Sequence, residues 1–367
     1  MKPQLLALRA LLACSLAASA QPGYAQAAAD VLKTPATASA LAPRALINGL
    51  AQAGVRVVGV GQRGHVIYSD NGGQTWTQAQ VPVSSDLTAV HFPSAKLGWA
   101  VGHDGVVLHS ADAGVTWTLQ LDGAAAARAM QAYYKGQGAA AAAADPRLLD
   151  EAQRLLEQGP DKPFLDVWFE SETRGYITGA FGLVFQTADG GRSWTPLQDK
   201  VDNPKGFHLN AIRPAGGALY IVGEQGLVLR RAAGAERFSA VATPYQGSYF
   251  GVVGNTAAVI VYGLRGNAYR SADNGASWHK VDTGLQTGLT AAALGWQGMG
   301  ARMVLASQSG QILVSDDNGA SFSKLAAKPG PVSAVLAAGK DGLLLGGARG
   351  VRAQPLVAPP AGPVTAK

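Results

Sequence analysis

One eight-residue turn phrase recurs along this chain and limits what it can fold into. Ser69-Asp70-Asn71-Gly72-Gly73-Gln74-Thr75-Trp76 is matched by Ser110–Trp117, Thr187–Trp194, Ser271–Trp278 and Ser315–Phe322. All five obey [Ser/Thr]-x-[Asp/Asn]-x-Gly-x-[Ser/Thr]-[Trp/Phe]. Ahead of each box stands a Gly-x-x-Gly turn followed by a short β-type run. The second glycines of these turns, counting Ser307–Gly310 as a variant, fall at 64, 105, 182, 226, 266, 310 and 350. The steps are 41, 77, 44, 40, 44 and 40, so one step alone carries extra residues. A period of 40–44 holding four short strands is that of a β-propeller blade.

Composition agrees. Of 367 residues 47 are Gly and only 15% are charged. Collagen is excluded because the glycines lack a three-residue period, and a mostly helical chain is excluded by the cost of interior Gly. One Cys cannot form a disulfide within the chain. Residues 1–27 read as a secretory signal peptide, with Lys2 and Arg9 ahead of and within a short apolar run. Cleavage sites fit after Ala20 or, preferably, after Ala27, and either removes Cys14. The competing reading takes Leu11-Leu12-Ala13-Cys14 as a lipobox. No later stretch is apolar enough to span a bilayer. The net charge of +6 comes without a run of Lys or Arg, which excludes nucleic acid as a partner.

The spacing therefore predicts an all-β, seven-bladed propeller of four-stranded blades over residues 28–357, followed by a flexible tail over 358–367. Blade 7 shows only three strand-like runs, and Val31–Ala38 is expected to supply its fourth and close the ring. The long step places an insertion over 121–162, between blades 2 and 3. Ala124–Lys135 and Asp145–Gly159 read as its helices, with Asp145 as N-cap and Pro146 in the first turn.

The boxes need no ligand. Their fifth-place Gly suits a tight turn, and the acid or amide of Asn71, Asp112, Asp189, Asp273 and Asp317 can accept backbone N–H groups across it. Trp76, Trp117, Trp194, Trp278 and Phe322 would anchor each turn by apolar burial. These ten are read as fold residues. Catalytic chemistry leaves no signature: the six histidines lack metal-ligand spacing, no nucleophile arrangement appears, and no cofactor loop is present. No enzyme, metal or cofactor is expected.

The Gly-x-x-Gly turns and the interblade connections share one face of a propeller, and the insertion emerges there. It either packs its leucines on the blades or presents Tyr133, Tyr134 and Lys135 to a partner. The same face would carry Arg63, Phe181, Arg265 and Arg349, and arginine suits bidentate capture of carboxylates.

The boxes resemble the Asp-box, or BNR, repeats of sialidase-like propellers. The fuller phrase, from Leu87-Thr88-Ala89-Val90-His91-Phe92 through Gly98-Trp99-Ala100-Val101-Gly102 to Trp117, resembles the photosystem II stability and assembly factor family. Phe164-Leu165-Asp166-Val167-Trp168-Phe169, following the helical insertion, does so too. That resemblance covers about residues 45–355. It implies a non-enzymatic monomer, not itself transmembrane, that binds an envelope or inner-membrane protein on its periplasmic side and assists its assembly. In a photosynthetic cell the compartment would be the thylakoid lumen. The family's arginine-bearing surface would correspond to Arg63, Arg265 and Arg349. The competing readings are a carbohydrate-active propeller, which needs paired carboxylates with aromatics in a central cleft, and a purely structural interaction module.

Overall fold

The computed structural model describes residues 30–295, 302–326 and 329–356. The leader over 1–27, Cys14 and the tail over 358–367 lie outside these residues. Seven antiparallel sheets follow one another, six of four strands and one of three. Blade 1 runs Ile47–Ala53, Arg56–Gly61, Val66–Ser69 and Thr77–Gln78. Each later blade repeats that meander. Second strands such as Gly98–Gly102, Gly175–Gly179 and Val259–Gly263 are buried at every position. They lie between two strands of their own sheet with neighbouring blades on both faces, so they read as continuous apolar runs.

The first strands line the central channel and hold the ring together. In six blades the register of the first two strands slips around the second residue of the first strand. Such a bulge re-aims a side chain, and here that side chain crosses to the next blade. Asn48 Nδ2 donates to Leu87 O (2.9 Å), Thr88 Oγ1 to Phe164 O (2.8 Å), Asn210 Nδ2 to Tyr249 O (2.8 Å) and Thr290 Oγ1 to Val332 O (2.6 Å). Ser333 Oγ donates to Ile47 O (2.5 Å), which joins blade 7 to blade 1. Leu165 and Phe250 hold the two remaining positions and cannot donate.

The Gly-x-x-Gly glycines are required by backbone crowding. A Cβ on Gly61 would lie 1.9 Å from Leu46 O, and one on Gly64 would lie 2.2 Å from Val83 O. The turn is wedged between the connections entering and leaving its blade, a structural reason for glycine that involves no ligand.

The boxes fold as their residue types dictate. In the blade 5 box, Ser271 Oγ accepts the Gly275 N–H (2.7 Å) and donates to Asp273 Oδ1 (2.7 Å). That oxygen also accepts the Ser277 N–H (2.9 Å), while Oδ2 accepts the Ser277 hydroxyl (2.5 Å). Asp112, Asp189 and Asp317 make the same set, and Asn71 differs only in donating Nδ2 to Thr75 Oγ1 (2.8 Å). The fourth and fifth residues of each box are both left-handed, at φ 60° and 85° for Ala113 and Gly114 and 56° and 75° for Asn318 and Gly319. Trp117, Trp194 and Trp278 are buried beneath their turns, while Trp76 and Phe322 are half-buried.

The fourth strand expected for blade 7 is not Val31–Ala38. Among the described residues, blade 7 has three strands, Ala334–Ala338, Gly342–Gly347 and Gly350–Pro355. The N-terminal segment instead straps blade 1: the Ala36 N–H donates to Val81 O (3.1 Å), the Ser84 N–H to Val31 O (2.9 Å), and Gln78 Nε2 to Thr37 O (3.0 Å). Its continuation, Pro43 and Arg44, crowds Gly350 just as connections crowd the second glycine in other blades. The segment thus takes the path of a connection entering blade 1, and the outer strand of blade 7 ends in Pro355, which has no N–H to offer an edge partner.

The insertion lies where the long step put it, with three helices rather than two: α1 (Gly123–Lys135), α2 (Ala139–Ala144) and α3 (Arg147–Gln158). Asp122 caps α1 through the Ala125 N–H (2.7 Å), and Asp145 accepts the Arg147 N–H (3.2 Å) at the start of α3.

The two box positions respond differently to side chains. Gly114→Ala adds a Cβ at φ 85°, 3.0 Å from Val58, and is expected to cost about 1–3 kcal/mol in a thermal or denaturant melt. Gly72→Asn, which copies Asn274 and Asn318, leaves the melt unchanged. The hydroxyl and amide donors, led by the Ser277 and Ser321 hydroxyls, hold Asp273 and Asp317 at about 2, below the ordinary 3.8. Their contribution is therefore complete above the unfolded value and is lost as pH falls through about 2. The double variant Asp273→Asn, Asp317→Asn, which imitates Asn71, should show a shallower fall of Tm over that window.

Candidate partner-binding face and central channel

The Gly-x-x-Gly turns surround the channel mouth, at the end of the ring that carries the seam hydrogen bonds. Their third residues Arg63, Asp104, Phe181, Gln225 and Arg265 sit at φ 51° to 58°. A left-handed residue with a side chain costs about 1–2 kcal/mol, and here it turns each tip outward. Arg63, Phe181, Gln225, Arg265 and Arg349 are all exposed. Phe181 is 49% exposed, with His208 at 4.8 Å and Lys162 Nζ 5.4 Å above its ring. His208 is held in turn by Glu224 (2.6 Å).

Several arginines elsewhere are held by carboxylates: Arg56 pairs with Asp70, Arg213 with Asp166, Arg231 with Glu170 and Arg302 with Asp316, while Arg192, Arg237 and Arg270 reach backbone carbonyls. Among the described residues, Arg63, Arg265 and Arg349 pair with no carboxylate. Two further arginines join Arg349 at the junction of blades 7 and 1. A Cβ on Gly350 would lie 3.0 Å from the Arg44 Cα, which places Arg44 beside Arg349, and Arg352 reaches Pro331 O (3.3 Å). Next to them opens a cavity of about 510 Å³ whose lining includes Leu46, Gln308, Pro331, Ser333 and Ala348. Sequence spacing did not mark Arg44, which precedes the first repeat, or Arg352, which reads as a strand residue.

The insertion is bolted down. Tyr134 is 1% exposed, its hydroxyl donates to Gln198 Oε1 (3.2 Å), and burial pushes its phenol far above the ordinary value. The expectation that Tyr134 faces a partner is overturned: the side chain anchors α1 to blade 3. Ala152 and Leu155 are buried with Trp99, Phe164 and Phe169, and Leu148, Leu149 and Leu156 pack on the same cluster. Tyr133 lies edge-on to Tyr134 at 5.1 Å and is half-buried, while Lys135 is exposed.

The central channel has a volume of about 640 Å³ and two unlike walls. Ala51, Val253, Ala293 and Leu336 form one; His91, Asp166, Trp168, Arg213 and Tyr262 form the other. Asp166 is the one acid of the lining, and burial pushes it up against the opposing pull of Arg213 and the Ile212 N–H. Burial, helped by Arg213, lowers His91 to about 3, so its ring is neutral. With one acid, already consumed by internal partners, this channel lacks the carboxylate pair that glycoside hydrolysis uses. Among the described residues no helix is long and apolar enough to cross a membrane.

A family model described as photosynthesis system II assembly factor YCF48 matches residues 55–129 and 149–287. Among solved structures, YCF48 bound to a D1 peptide superposes with a TM-score of 0.62 and 16% identity, over 87% of this chain and 95% of that one. YCF48 from Cyanidioschyzon merolae gives 0.60 and 14%, over 88% and 98%. The WD40 β-propeller domain of Doa1 gives 0.60 and 9%, over 88% and 95%. No curated protein matches the chain. At these identities the solved structures speak to the fold alone.

Because α3 shares its apolar contacts with blades 2 and 3, Leu155→Ala should destabilise the whole protein by about 2–5 kcal/mol. A denaturant melt checks this, and a single transition shifted as a unit is the expected result.

Proposed function

This chain belongs to the YCF48 family of photosystem II assembly factors, and from that membership we propose that it is a non-enzymatic assembly factor. It holds an extracytoplasmic segment of an immature membrane or envelope protein on the face that carries the Gly-x-x-Gly turns. The observation that carries this reading is the set of exposed arginines without internal carboxylate partners on that face, Arg63, Arg265 and Arg349, the last of them beside Arg44 and a cavity at the junction of blades 7 and 1. Unpaired guanidinium groups on rigid turns are suited to bidentate contacts with carboxylates, and no internal ion pair has to be broken for them to engage a partner. Phe181 adds a fixed aromatic surface, and Tyr133 and Lys135 extend the face at the insertion.

The bound segment is accordingly acidic; a relative of known structure is itself bound to a peptide, from D1. The chain acts as a monomer in the periplasm, or in the thylakoid lumen of a photosynthetic cell, after removal of its leader.

Crosslinking pull-down from native membranes tests the reading. The triple variant Arg63→Ala, Arg265→Ala, Arg349→Ala should melt as the parent does and lose at least about tenfold of the captured membrane protein. Capture by the triple variant equal to that of the parent would overturn the assignment of this face.

A further inference from the structure

The channel carries a second set of groups that the partner-binding face does not use. The blades act as internal controls. Where blade 3 has Asp166, the other blades have Gly49, Ala89, Ala211, Gly251, Ala291 and Ala334; where blade 4 has Arg213, blades 1, 5, 6 and 7 have Ala51, Val253, Ala293 and Leu336. Most of the ring therefore closes with small or aliphatic residues at these places.

Two acceptors on the polar wall, Asp166 Oδ2 and His91 Nδ1, are consumed, and Asp166 Oδ1 is the one that keeps no hydrogen bond among the described residues. Asp166 Oδ2 accepts the Ile212 N–H (2.8 Å) and Arg213 Nη1 (2.5 Å). His91 Nδ1 accepts the Phe169 N–H (3.1 Å), and since the ring is neutral its remaining proton is on Nε2. Donors are left over. Arg213 makes all its hydrogen bonds through Nη1, so Nε and Nη2 have no acceptor among the described residues. Neither His91 Nε2–H nor the Tyr262 hydroxyl has one there. Tyr262 is admitted because Gly251 has no side chain: a Cβ would lie 2.2 Å from its hydroxyl. All three residues line the same channel, opposite the aliphatic wall.

We infer that the channel binds a small monocarboxylate with an apolar body, its oxygens accepting from Arg213, His91 and Tyr262. An ammonium group would have to compete with Arg213 for Asp166, whose charge that guanidinium already balances. A dianion would meet one guanidinium already balanced by Asp166. A carboxylate offers only acceptors and a single charge, and its hydrocarbon part faces Val253, Ala293 and Leu336. Asp166 is the positioning residue that fixes the guanidinium. The inference is independent of the partner reading, since none of these residues lies on a Gly-x-x-Gly turn.

Isothermal titration with benzoate and butyrate, against benzamide and butyramide, tests it on the mature protein. At least one acid should bind saturably and about tenfold more tightly than its amide. Tyr262→Phe, which removes one hydroxyl, should weaken that acid roughly threefold. Arg213→Gln strands a buried acid, so the companion variant is Asp166→Ala with Arg213→Ala, which installs residues found in other blades. It should melt as a folded protein and lose acid binding. Equal binding of acid and amide, no saturation by either acid, or parent-like binding by Tyr262→Phe or by the folded double variant would overturn the inference.

Discussion

The ring depends on hydrogen bonds that run from one blade to the next around the channel mouth. A propeller sheet is open along its inner edge, and seven such edges must be joined without a shared strand. Here a bulge in the first strand turns an Asn or Thr toward the neighbouring blade, and in blade 7 Ser333 just ahead of the strand does the same, each donating to a backbone carbonyl. Every donation runs in the same direction around the ring. The Gly-x-x-Gly turns follow from the same closeness, because connections brought this near leave no room for a Cβ.

Where the pattern breaks, chemistry replaces it. Leu165 cannot donate to blade 4, and Asp166 beside it reaches the Ile212 N–H instead. An acid placed there would be a buried charge without compensation, so Arg213 accompanies it. The charged pair thus ties blade 3 to blade 4 at a seam that lacks its hydrogen bond, as no pair does after Phe250, and the unspent donors around it give the site its polarity.

Much of this was legible in the sequence because propeller chemistry is local. Each box closes on itself within eight residues, so its residue types carry the whole argument, and the period follows. The insertion was visible as one irregular step, and its helices as runs bounded by Asp and Gly. What could not be read involves contacts between distant segments. Val31–Ala38 looks like a strand, yet its partner is the outer side of blade 1. Tyr134 reads as a surface aromatic until blade 3 is placed against α1. Arg44 and Arg349 are 305 positions apart, and Asp166 and Arg213 belong to different blades. Such pairs have no sequence signal within a single repeat.

Among the described residues, blade 7 takes no strand from the N-terminal segment, and this sets its junction with blade 1 apart. A propeller whose last blade is woven from both chain ends is locked, and opening it means stripping a ladder of backbone bonds. In this one, blade 7 meets blade 1 through side-chain packing and the Ser333 hydrogen bond: Ile47 lies against Gly346, Leu344 against Gly73, and Pro43 and Arg44 against Gly350. A ligand gripping Arg44 and Arg349 together would hold the first and last blades at once, so occupancy of the face and closure of the ring become linked equilibria.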